Sequence, residues 1–479
     1  MRRLIILFFC LACISDAFGQ VKRFRNITWD AFKVSGPNLE FAGWLIPKSS
    51  KNIEASTWSV GCETLDRDYA DFSVYKDYVG ALGVKHGRLQ SGWAKCEQTK
   101  GVYDFAWLDS CVYGLVEQGV KPWMCLCYGN PLYGSQVTLG SKVASVSQSD
   151  EAMAAWLRYV EVIVNRYKGV INEWEIWNEP YHQEKDYAPL LIETAKLIKK
   201  IQPSSITLAE ILTDPRNTGD TILLEALKKN NCLQDVDYWA YHPYTRNPDE
   251  SYPVVERLKT FVQSYNDKFK LYQGENGCPS QLEWSHALSA YPWTEYSQAK
   301  WLLRRMAGDK VRDIPSSIFT IIDLKYPTML QSFGLIRSNL SHRIIYRRPS
   351  YFAVQHMAGF FDNHVKSIGF LKYESDFTAA HLSVAGFKKG SSHVALLWFD
   401  DKIPTDELKW TPVNLTIDDV NFKDPVYVEM VTGKIYNIDP SEWHNAGKNV
   451  VFSGLPLWDS VVMVAERSQV TFGSIPTDY

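Results

Sequence analysis

Lysine and arginine (51) almost balance aspartate and glutamate (54) across the 479 residues. The chain therefore lacks the one-signed field that nucleic acid or an anionic membrane surface would attract, and no nucleic-acid partner is expected. Beyond residue 20 it also lacks long apolar runs. Glu, Lys or Arg interrupts every candidate, so no membrane-spanning segment is expected there. Among the seven cysteines after residue 20 (62, 96, 111, 125, 127, 232 and 278) no C-x2-C pair occurs, which argues against a structural zinc site. At least one of the seven must stay unpaired within the monomer, and a chain of this length does not need a disulfide framework. No G-x-G-x-x-G follows the first strand-like run, and neither H-E-x-x-H nor H-x-H occurs where a metal hydrolase would carry it. Neither cofactor nor metal is expected. What the chain has in excess is aromatic rings: 17 Trp, 26 Tyr and 22 Phe. That is more indole than a core of this size usually holds, and part of it suits a ligand surface.

Residues 1–20 read as a secretory signal. Arg2 and Arg3 give a positive start, Leu4 to Ile14 an apolar run, and Ala17-Phe18-Gly19 a small-residue cleavage site. The run is about 11 residues, short of the ~20 that span a bilayer. A secreted or periplasmic protein is the expectation, and Cys13 makes a poor lipid-attachment site. Asn26, Asn339 and Asn414 begin glycosylation sequons.

From about residue 56, strand-like runs alternate with helical patterns. The strands are expected at 56–62, 84–90, 121–128, 171–179, 206–212, 236–244, 270–275 and 316–324. Helices are expected at 151–168, 186–201, 221–230, 253–265 and 295–308. In the first, Ala155, Leu157, Val160, Val162, Ile163 and Tyr167 fall largely on one side. Eight strands with intervening helices fit an α/β fold, a (β/α)8 barrel, although an open doubly wound sheet has the same alternation. After a helical stretch at 350–362 the rhythm becomes short alternating runs without helices, the pattern of a β-sandwich. The expected organisation is a signal at 1–20, an N-terminal segment at 21–55, a barrel at 56–364, and a β-sandwich with a tail at 365–479.

The most informative string is Glu173-Trp-Glu-Ile-Trp-Asn-Glu-Pro180 on the fourth strand. Alternation places Glu173, Glu175, Trp177 and Glu179 on one side and Trp174, Ile176 and Asn178 on the other. Pro180 excludes Glu179 from the helical region and ends the strand there. Glu179 thus falls at the carboxyl end of its strand, the face where barrels keep their active sites. A second string, Leu271-Tyr-Gln-Gly-Glu275-Asn-Gly, ends the seventh strand in Glu275, across the barrel mouth. Two carboxylates facing each other over a cleft are what glycoside hydrolysis uses, although unrelated rim acids are the plainer reading of each alone.

Trp177-Asn178-Glu179-Pro180 on strand four with Glu275 on strand seven resembles glycoside hydrolase clan A, the retaining (β/α)8 glycosidases. Arg88 ends strand two, as the clan's active-site arginine does. His242-Pro-Tyr244 ends strand six, where the clan keeps a His or Tyr that hydrogen-bonds the nucleophile. The segment from Gly92 to Phe105 and the trailing β-sandwich are similar to family 39 and neighbouring families. The resemblance implies a retaining enzyme with Glu179 as acid/base and Glu275 as nucleophile, about 5 Å apart. It implies that Asn178 binds the sugar 2-hydroxyl and that Arg88 keeps Glu275 ionised. It also implies an oligosaccharide or polysaccharide substrate of plant type and exo action. One departure is the absence of a tryptophan at the end of strand eight, which reads Ile318-Phe-Thr-Ile-Ile-Asp-Leu-Lys325. Trp284 or Trp293, in the loop after strand seven, is then expected to form the floor of the sugar site. His86 and His182 read as structural. The alternative to an enzyme is a non-catalytic carbohydrate-binding barrel, which intact glutamates at both positions disfavour. Sugar identity, linkage, disulfide pairing and oligomeric state have no signature in the sequence.

Overall fold

A computed structural model describes residues 36–138, 141–214, 216 and 218–473. The signal segment, the Asn26 sequon and the last residues lie outside them.

Eight parallel strands close into a barrel: β1 (Trp58–Gly61), β2 (His86–Gln90), β3 (Lys121–Leu126), β4 (Glu173–Ile176), β5 (Ile206–Glu210), β6 (Tyr238–Tyr241), β7 (Lys270–Asn276) and β8 (Ser316–Ile318). Closure is by β8 pairing with β1, Trp58 opposite Ser316. Eight helices surround them: α1 (Phe72–Leu82), α2 (Ala106–Glu117), α3 (Asp150–Tyr167), α4 (Glu184–Ile201), α5 (Thr218–Lys229), α6 (Tyr252–Gln263), α7 (Glu295–Val311) and α8 (Pro349–Phe360). The closed sheet excludes the open doubly wound alternative.

Local chemistry explains the helix starts. Asp71 accepts from the Ser73 N–H ahead of α1, and Ser149 from the Ala152 N–H ahead of α3, each satisfying an otherwise orphaned first-turn donor. The buried stripe of α3 is Ala152, Ala155, Trp156, Tyr159, Val160, Ile163, Val164 and Tyr167. This is the i, i+3, i+4 pattern; Leu157 and Val162, expected in it, sit at its edges, half-buried. Helices α7 and α8 depart from one-sided burial, because both are covered on the barrel side and again by the C-terminal sheet. All twelve residues of α8 are buried. The cost of burying charge on α7 is met by partners: Arg304 reaches Asp249, Asn247 and the carbonyls of Asp400 and Lys402, and Lys300 reaches Asp459 at 2.6 Å.

The C-terminal part is antiparallel. One eight-stranded sheet and one four-stranded sheet form the β-sandwich. The larger sheet contains a strand from the other end of the chain: Glu40–Leu45 pairs with Lys434–Asn437 on one side and Phe472–Gly473 on the other. Glu40–Leu45, ahead of the barrel in sequence, therefore contributes a strand to the sandwich.

No described helix is long and apolar enough to cross a membrane. All seven described cysteines are free and buried.

Candidate active site

The barrel interior narrows onto one cation. Trp123 on β3 fills the layer below, its indole N–H on Ser59 Oγ at 2.9 Å, and the Arg88 guanidinium lies 5.4 Å above its ring centroid. Arg88 is fully buried, and its donors fan out to four acceptors. Nε and Nη2 donate to Glu175 Oε2 at 2.9 and 2.6 Å, Nη1 to Glu63 Oε1 at 2.8 Å and Glu275 Oε2 at 2.9 Å, and Nη2 also to Asn178 Oδ1 at 2.7 Å. A planar fork with five N–H donors is the one side chain able to bind so many acceptors at once.

Three carboxylates on one arginine cannot all be neutralised by it. Burial pushes the pKa of Glu63 up to about 8, against the pull of Arg88. A protonated Glu63 still accepts from Arg88 through its carbonyl oxygen, so the 2.8 Å contact and the raised pKa are compatible.

The strand-four alternation stops at Ile176. Trp177 and Glu179 take positive φ, 68° and 52°, in the left-handed region that side chains with a Cβ seldom occupy. Asn178 therefore turns to the Arg88 side, not away from it as strict alternation required, and its Nδ2 donates to the Tyr128 hydroxyl at 2.8 Å. Trp177 does not line the mouth. It is buried between Tyr128 and Trp156.

Around the mouth stand Glu179 and Glu275. A carboxylate oxygen of each and a ring nitrogen of His242 all lie within 4.8 Å of one another. The side chains of Glu179 and Glu275 are 20% and 12% exposed, whereas those of Glu63, Glu175 and Glu210 are at most 1% exposed. Of these five glutamates, only these two open to a ligand. Their surroundings differ. Glu275 has both oxygens held by donors, Oε2 by Arg88 and Oε1 by the Tyr244 hydroxyl at 2.6 Å. Glu179 has no cation in contact, and burial raises its pKa with only partial opposition from Arg88.

The strand-six residues divide between the two carboxylates. Tyr244 contacts Glu275, as the resemblance implied for one of the pair. His242 contacts the other: its Nδ1 is 2.9 Å from Glu179 Oε1 and 3.3 Å from Glu210 Oε1. Burial lowers the His242 pKa to about 4, so the imidazole is uncharged near neutral pH.

Trp293 offers no face to this site. Trp293 is buried within the loop after β7, its N–H donating to the Leu288 carbonyl at 2.8 Å and its ring packed on Tyr291, which leaves no open face. Trp284 is 84% exposed. Trp93 stacks on Tyr133 and donates to Glu97, a packing role. The sequence reading missed Glu63 and Glu210. Each is a lone acid just past or at the end of a short apolar strand, and that position was the available signal.

Two groups, Glu175–Glu210–His242 and Glu179–His242–Glu275, have the donor types of a metal site. Five of their oxygens are already committed: Glu175 Oε2 and Glu275 Oε2 to Arg88, Glu275 Oε1 to Tyr244, and the Glu210 pair to the Glu179 N–H and the Tyr181 hydroxyl, while Glu175 Oε1 has no hydrogen-bond partner among the described residues. A cation there would compete with an arginine already in place.

No protein-family model matches the chain. Among solved structures the chain is similar to a family 39 glycoside hydrolase from the gut symbiont Bacteroides cellulosilyticus WH2, at 18% identity and TM-score 0.64, over 86% of this chain and 81% of that one. It is also similar to a family 30 subfamily 8 xylanase from Clostridium acetobutylicum, at 12% identity and TM-score 0.52, over 88% and 97% of the two chains. A glucosidase from Croceicoccus marinus matches at 10% identity and TM-score 0.52, over 87% and 97%. At these identities the likeness is one of fold: a closed (β/α)8 barrel joined to a β-sandwich.

Proposed function

We propose that the chain is a retaining O-glycoside hydrolase acting on oligosaccharides or polysaccharides of plant type, with Glu179 as acid/base and Glu275 as nucleophile. The observation that carries this reading is the approach of their carboxylate oxygens to within 4.8 Å, in unlike surroundings. Retaining pairs sit about 5–5.5 Å apart, whereas inverting pairs need about 6.5–9.5 Å to admit a water.

In the first step Glu179, protonated because burial raises its pKa, gives its proton to the glycosidic oxygen. Glu275, oriented at both oxygens by Arg88 and Tyr244, attacks the anomeric carbon as the leaving group departs. The sugar is then esterified to Glu275, and the negative charge facing Glu179 is gone. Loss of that charge lowers the pKa of Glu179, which takes a proton from water as the water attacks. Asn178, held by Arg88 and Tyr128, binds the sugar 2-hydroxyl in this reading.

The resemblance to family 39 supports exo action, and the near-balanced charge supports a substrate that is not strongly anionic. The N-terminal segment supports export.

A panel of aryl glycosides assayed with the wild type, Glu275→Ala and Glu179→Ala tests the assignment. Glu275→Ala is expected to lose turnover and to regain part of it with azide, giving a glycosyl azide of inverted configuration. Glu179→Ala is expected to spare good leaving groups far more than poor ones. Wild-type activity in both variants would refute the pairing.

A further inference from the structure

Glu210 ends β5 fully inside the barrel and takes no part in the reaction just described. Its carboxyl is nonetheless spent on the surroundings of Glu179. Oε2 accepts the backbone N–H of Glu179 itself at 2.7 Å, and Oε1 accepts the hydroxyl of Tyr181 at 2.6 Å, so both sides of Pro180 are tied to one group. His242 Nδ1, which contacts Glu179 Oε1, is 3.3 Å from the same Glu210 oxygen. Glu210 is held in turn from its own backbone, whose N–H donates to the Tyr187 hydroxyl at 3.3 Å, while Tyr187 donates to the Ile176 carbonyl at 2.6 Å. One carboxyl thereby joins the backbone, the neighbouring loop and the side-chain partner of the residue at 179.

The backbone bond is the informative one. Glu179 has φ of 52°, and a non-glycine residue keeps such a conformation only where its surroundings over-determine it. The N–H that this conformation turns inward would be orphaned without an acceptor, and Glu210 is that acceptor. Either protonation state of Glu210 leaves both oxygens able to accept. Its place on a barrel strand, not a loop, gives it a fixed position.

We infer that Glu210 is the positioning residue for the acid/base: by accepting the Glu179 N–H and sharing His242, it sets the left-handed turn that aims the Glu179 carboxyl at the leaving-group oxygen. This rests on the glycosidase reading for its consequence, though not for its geometry.

The test uses the full chain as Glu210→Leu and Glu210→Gln, each assayed on dinitrophenyl and phenyl glycosides of the sugar the wild type cleaves best, with a crystal structure of each. Leucine removes both acceptors; glutamine keeps one for the Glu179 N–H and keeps the shape, which guards against a variant that fails to fold. Glu210→Leu is expected to lose about 100-fold on the phenyl glycoside and little on the dinitrophenyl one, the pattern of a misaimed general acid. Glu210→Gln is expected to stay within about 5-fold on both, since its amide oxygen still accepts the Glu179 N–H. In the crystals, Glu179 is expected to keep positive φ with glutamine and to leave it with leucine. An equal loss on both substrates, or an unchanged turn in Glu210→Leu, would overturn the inference. The glycosidase reading fails separately, by the wild type cleaving no glycoside or by Glu179→Ala and Glu275→Ala retaining activity. The crystal structures decide the positioning claim in that case too.

Discussion

Tyr244 donates its hydroxyl hydrogen to Glu275 at 2.6 Å, on the oxygen opposite the one that Arg88 holds. The carboxylate is therefore fixed in rotation as well as in place. A carboxylate held this way presents one lone-pair direction to the cleft and has little rotational freedom left to lose.

Removing that hydroxyl isolates its contribution. Tyr244→Phe keeps the ring and its edge-on packing against Phe333. A hydrogen bond to a charged group is worth about 1.5–3 kcal/mol, so kcat is expected to fall about 10- to 100-fold with little change in melting temperature. Steady-state kinetics beside a thermal melt checks this; an unchanged kcat would show the bond to be incidental.

Glu63 offers a stability test. Its folded pKa, about 8, lies above its unfolded value of about 4.5, so the folded chain holds the proton more tightly. The sign follows from linkage: this group's stabilisation is full below about pH 4.5 and is lost as pH rises through about 8. Glu63→Gln cannot titrate and keeps an acceptor for Arg88. Its stability is expected to decline less than the wild type's between those limits, as read from urea denaturation at a series of pH values. Parallel curves would place the proton elsewhere.

Glu179 gives a kinetic signature of the same kind. Burial raises its pKa, and the acid form is the active one, so kcat/KM for a phenyl glycoside is expected to fall as pH rises through that raised value. With Glu179→Gln and a dinitrophenyl glycoside, which needs no proton, the alkaline limb is expected to vanish. Its persistence would assign the limb to another group.

How much of this was legible in the sequence follows from how local each signal is. The first seven strands and the helices from 151 on announce themselves by apolar runs and helical spacing and fall within about three residues of expectation, whereas strand eight stops at Ile318, not 324, and α1 and α2 had no expected range. Glu179 and Glu275 were visible because each lies near the carboxyl end of an apolar strand, beside Pro180 and Gly277 respectively. The inward swing of Asn178 was not, since two positive φ angles break a periodicity that any reading of alternation assumes. Glu63 and Glu210 matter through what converges on them from β2, β4 and β6, and no pattern along their own strands reports that. Trp284 and Trp293 show the reverse: a loop's composition says what can stack on a sugar, not which way its rings face.

The pairing of Glu40–Leu45 with Lys434–Asn437 has a consequence for how the molecule is made. The barrel is, in topological terms, an insertion within the sandwich. During synthesis the first strand of the larger sheet leaves the ribosome long before its neighbours exist, and must wait unpaired while residues 46–433 are made behind it. The last strands then clasp it, bringing the two ends of the described chain together on one sheet. A barrel cut out at its own borders would shed its accessory sheet in two pieces, and a sandwich expressed from its C-terminal residues alone would carry an open slot where that first strand belongs.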